Sequence, residues 1–153
     1  MSKILIVAEH DGGKLNASTA KSVTCASKIA GASIDVVVLA AEAAAVATEA
    51  AALAGVSKVL VVESPANKEP LAAVLAPQIA KLAAGYTHVF GPSTTFGKDV
   101  MPRVAALLGV APLAAVVLVL PVCGDAVLGA AVHREGADLH LDSHVVGPNH
   151  RRM

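Results

Sequence analysis

Glycines at 31, 55, 85 and 109 each close an alanine-rich segment, and each is followed within a few residues by a β-branched run. This recurring pair of textures constrains the fold more than anything else in the chain. Glycine just past a helix end is the usual left-handed cap, so the alanine-rich segments read as helices. The β-branched runs read as strands at 3–8, 34–39, 58–62, 87–90 and 113–120, short and nearly continuously apolar, as in a sheet covered on both faces. Strands alternating with helices through short connections predict right-handed crossovers and an α/β fold, a three-layer, doubly wound parallel sheet.

Local signals place the helices. Asn16 is a natural N-cap for a first helix to about Ala30, with Thr19, Val23, Ala26 and Ala30 recurring at helical spacing. Glu42 opens a second helix with favourable charge, and Pro70 suits the first turn of a third. Pro77 falls inside that third helix, where a proline costs about 3 kcal/mol and predicts a kink or a restart. A fourth helix begins near Asp99.

A length of 153 residues supports one domain, and with aromatics at only 2% its core is built from small and β-branched side chains. Twelve basic and twelve acidic residues leave no net charge, which removes nucleic acid as an expected partner. Cys25 and Cys123 stand far apart with no secretory signal ahead of them, which implies reduced thiols and an intracellular protein. The stretch 104–124 is uncharged and long enough for a membrane span. Gly109, Pro112 and Pro121 divide it, so it reads as a helix end, a turn and the buried strand at 113–120, with no membrane insertion. Beyond it the texture is rich in His, Asp, Gly and Arg and has no period. The domain is therefore expected over 1–120, with an irregular, poorly ordered tail over 121–153.

Ligands of doubly wound sheets sit beyond the carboxyl ends of the strands. Those positions carry Glu9, His10 and Asp11 with two glycines after the first strand, and the turn Gly-Pro-Ser-Thr-Thr-Phe-Gly-Lys at 91–98 after the fourth. Hydroxyls and free amides at a helix start favour an anion. The spacing is not that of a phosphate-binding loop, which has four residues between its glycines and a hydroxyl residue after the lysine; here there are five, and Asp99 follows. The simpler reading is a capped turn in which Ser93, Thr94 or Thr95 bonds the open helix amides. Glu9, His10 and Asp11 would make an acid and base pair at a cleft, or a solvated strand end; nothing nearby marks a nucleophile, and no catalytic residue is expected. Arg103, one turn into the fourth helix, finds its natural partner in Asp99. His140 and His144 have metal-ligand spacing only on a helix, which Gly136 and Gly147 frame poorly, and no metal site is expected. Cys25 reads as a small packed side chain. The candidate anion, nucleotide or interface contacts are thus Glu9, Ser93, Thr94, Thr95, Gly97, Lys98 and Arg103.

Three segments in order carry a resemblance: Ile-Val-Ala-Glu-His at 6–10, Ala-Gly-Val-Ser-Lys-Val-Leu at 54–60, and Thr-Thr-Phe-Gly-Lys-Asp-Val-Met-Pro-Arg-Val-Ala-Ala-Leu-Leu at 94–108. Together they resemble the N-terminal domain of the electron-transfer flavoprotein α subunit over about residues 3–112. The resemblance implies an adenine-nucleotide α-hydrolase-like, Rossmann-like sheet and a heterodimer with a β subunit. It further implies FAD as the cofactor of that complex, and electron transfer from acyl-CoA and other dehydrogenases to the respiratory chain. It places the protein in the bacterial cytoplasm or mitochondrial matrix. In the family a second domain chiefly holds the flavin, and its glycine-rich and Gln-Thr-Gly stretches have no counterpart here, so no flavin-contacting residue transfers. The expected role is subunit packing, as an electron-carrier subunit or fragment and not a catalyst.

After residue 112 the sequence departs from the family pattern, and a deletion, a truncation or a frame change would each give such a tail. If covering strands are missing, the run at 113–120 exposes an apolar edge. The competing expectations are a stand-alone adenine-nucleotide binder resembling universal stress proteins, and a truncated product without function.

Overall fold

The computed structural model of the chain describes residues 1–11 and 13–110. Four parallel strands form the main sheet, β1 (Lys3–Val7), β4 (Ser33–Ala40), β5 (Lys58–Glu63) and β6 (His88–Phe90), in the spatial order β5-β4-β1-β6. β1 runs beside β4 with Ile4 opposite Ile34 and beside β6 with Leu5 opposite Val89, so it lies at the point where the order of connections reverses. A small antiparallel hairpin, β2 (His10–Asp11) with β3 (Lys14–Leu15), follows β1 directly. The run at 113–120 and the tail at 121–153 lie outside the described residues.

The helices are α1 (Ala17–Ala26), α2 (Ala44–Ala51), α3 (Ala72–Ala83) and α4 (Thr95–Leu108), with a single 3₁₀ turn at Pro65–Asn67. Because successive strand residues point to opposite faces, the sheet supplies two cores. Leu5, Val7, Val37 and Leu39 pack under α3 and α4 through Leu75, Ile79, Val100, Met101 and Val104. Ile4, Ile6, Val36 and Val38 pack under α1 and α2 through Val23, Ala26, Val46 and Ala50. This is the three-layer, doubly wound arrangement that the alternation of textures requires.

Several local expectations are corrected. α1 ends at Ala26 and not near Ala30; Thr19, Val23 and Ala26 are buried as their spacing requires, but Ala30 is exposed in the following turn. Glu42 precedes α2 without capping it. Ala43 stands at the N-cap with no side-chain bond of its own, and its amide donates instead to Glu63 Oε1 at 2.9 Å, a carboxylate from the end of β5. Pro70 lies outside α3, whose N-cap is Leu71. Gly31, Gly55 and Gly109 take the left-handed conformation, whereas Gly85 does not, and α3 closes through Ala84. Covering of both sheet faces fails at β5, an edge strand among the described residues, where Val61 is 48% exposed.

Pro77 interrupts nothing, for α3 runs through it without a restart. Pro102 sits equally inside α4. Both rings are exposed, and so are Ala73 and Lys98, the residues whose carbonyls lose an i+4 donor. Water can serve those carbonyls where a buried pair would be orphaned.

Candidate functional site

The two ends of the sheet are finished differently. At the amino ends of the strands, Thr87 Oγ1 donates to Lys3 O at 2.8 Å while Lys3 N–H donates to Thr87 Oγ1 at 2.9 Å. Tyr86 Oη donates to Asp35 Oδ2 at 2.7 Å. Burial, with the hydrogen bond to the Asp35 carboxylate and its charge behind it, pushes the Tyr86 phenol up to about 12. At the carboxyl ends the chain leaves in loops, and the candidate residues lie there.

Glu9 is committed to structure. Its carboxylate accepts from Ser18 Oγ at 2.9 Å, its amide donates to Thr19 Oγ1 at 3.1 Å, and its carbonyl accepts from the Asn16 amide at 2.9 Å. These bonds fasten the exit of β1 to the first turn of α1, where Asn16 Oδ1 also accepts from Ser18 N–H at 2.9 Å. The next two residues form β2, with Asp11 exposed and His10 half-buried. His10 Nε2 lies 2.8 Å from Leu39 O, and the hairpin is held from its other strand by Leu15 N–H donating to Glu49 Oε2 at 2.9 Å. Two-residue strands around a glycine pair give no periodic signal, and sequence reading missed the hairpin for that reason.

The turn at 91–98 is also filled by its own chain. α4 begins at Thr95, four residues earlier than Asp99, and of the three hydroxyls Thr94 is the cap, its Oγ1 accepting from Gly97 N–H at 3.3 Å. Gly97 is buried, and a β-carbon placed on it would lie 1.7 Å from Pro92 O. One on Gly91 would lie 2.5 Å from the Met101 side chain. The two glycines therefore bring turn and helix together and leave no open cradle. Ser93 is half-buried, while Thr95, Lys98 and Arg103 are exposed. Arg103 is the ninth residue of the helix, not one turn in, so the positive helix end no longer bears on it. Among the described residues it forms no ion pair with Asp99. Lys98, Asp99, Pro102, Arg103 and Leu107 make up much of the outward side of α4, with Leu107 54% exposed.

A cavity of about 370 Å³ opens at the carboxyl ends of β1 and β4. Ala8, Leu39, Leu75 and Phe96 give it apolar walls; His10, Asp11, Glu42, Asn67, Lys68 and Glu69 give it polar ones. Of the 91–98 turn only Phe96 reaches it, so the structure does not gather Glu9, Ser93, Thr94, Thr95, Gly97, Lys98 and Arg103 into one site. Sequence reading missed Asn67, which is 2% exposed. Its Nδ2 donates to Val62 O at 3.1 Å and to Gln78 Oε1 at 3.2 Å, and Gln78 Nε2 donates back to Asn67 Oδ1 at 2.7 Å. Two amides eleven residues apart carry no sequence signal of such a pair.

Among the described residues no three His, Cys, Asp or Glu side chains gather as metal ligands, and His140 and His144 lie outside them. No helix among them is long and apolar enough to cross a membrane. Cys25 is half-buried in α1.

Comparison with known proteins gives a consistent result. A family model described as the electron transfer flavoprotein domain matches residues 4–138. The chain is 45% identical over 117 residues to the electron transfer flavoprotein subunit alpha of Pseudomonas aeruginosa, covering 76% of this chain and 38% of that protein. To the Paracoccus denitrificans protein of the same name it is 42% identical over 117 residues, again 76% and 38%. To the mitochondrial subunit alpha of Dictyostelium discoideum it is 37% identical over 119 residues, 73% of this chain and 34% of that one. The chain spans little more than a third of the length of these relatives.

Proposed function

The chain belongs to the electron transfer flavoprotein family, and on that premise we propose that it acts as the N-terminal domain of an α subunit whose work is to pack against a β subunit. The family-model match over residues 4–138, together with the identity to α subunits from bacteria and from a mitochondrion, supports this reading and favours it over a stand-alone adenine-nucleotide binder. In the assembled protein the electrons come from acyl-CoA and other dehydrogenases and pass to the respiratory chain, in the bacterial cytoplasm or the mitochondrial matrix.

The turn at 91–98 does not fit a flavin's pyrophosphate. The space a pyrophosphate needs beside a glycine turn is taken by Pro92 O and the Met101 side chain, and the amide of Gly97 is already bound by Thr94. On this reading the described residues carry no redox step, and FAD belongs to the assembled two-subunit protein. The outward side of α4, with exposed Lys98 and Arg103 beside Leu107, is the surface proposed for the partner.

Co-purification of the chain with its cognate β subunit, with and without added FAD, tests the proposal. A stable two-subunit complex is the expected outcome. A chain that purifies alone, carrying flavin in a one-to-one ratio, would overturn it.

A further inference from the structure

We draw no further inference here: the strongest candidate, the cavity at the carboxyl ends of β1 and β4, is rimmed by exposed Asp11, Glu42, Lys68 and Glu69, and its one deeply buried polar group, Asn67, has its amide committed to Val62 and Gln78, so nothing in it points to a ligand.

Discussion

Gly97 has no room for one more carbon. A methyl there would meet a backbone oxygen, which can yield only if the whole turn shifts against α4, whereas at Gly91 the obstacle is the bendable side chain of Met101. Gly97→Ala is therefore expected to destabilise by about 3 kcal/mol or more, and Gly91→Ala by about 1–3 kcal/mol, within the range known for overpacking. Urea unfolding of the two variants ranks them, and equal costs would contradict the close approach. The Tyr86 phenol supplies a second test. Its proton is held to about 12 in the folded chain, against the ordinary value of 10.0 that the unfolded chain retains. Between those values the unfolded state has lost the proton and the native state has not, so stability must fall as pH rises from about 10 to 12 and be fully present below 10. Tyr86→Phe should remove that slope and cost about 1 kcal/mol at neutral pH, the usual net worth of a hydrogen bond, since the pair is only partly buried. Thermal melts of both proteins across this range would show it.

The elements were legible where a single stretch of chain decides them. The apolar runs of β1 and β4 announce strands because both of their faces are covered, and Asn16 caps α1 because an N-cap needs only its own next turn. Glu42 misled because the α2 amide is served by Glu63, a residue twenty positions away that only the sheet brings near. Likewise Asn67 and Gln78 find each other only after β5 and α3 are in place. In the candidate site the Thr94 cap was legible because Gly97 lies three residues on, whereas the bonds of His10 to Leu39 and of Leu15 to Glu49 were not, because only the fold brings those partners near. The helices themselves carry a testable burden in Pro77 and Pro102. An interior proline costs about 3 kcal/mol, partly offset by about 1 kcal/mol from a stiffer unfolded chain. Pro102→Ala should therefore raise stability by about 2 kcal/mol, read as a higher denaturant midpoint with unchanged slope.

At the scale of the whole molecule, the proposed pairing with a β subunit predicts a separation of stability from association. Lys98 and Arg103 are exposed, and removing their charge touches neither core. The double substitution Lys98→Glu, Arg103→Glu should leave the melting temperature within a degree or two, since surface changes of this kind stay near 0.5 kcal/mol. It should weaken capture of the β subunit at least tenfold, in keeping with the cost of removing interface charges. Unchanged capture would move the interface off α4. The sheet's unequal finish also has a consequence for how the domain yields. One rim is laced by Thr87 with Lys3 and by Tyr86 with Asp35, while the opposite rim carries the hairpin, the 3₁₀ turn and the start of α4. Thermal breathing should therefore open the domain like a purse with its seam at the amino ends, so that the amides of Asp11, Gly13, Lys14 and residues 66–69 exchange with deuterium well before those of Ile4, Leu5 and Val89, and the rim that gapes is the one that loops can reshape without disturbing the seam.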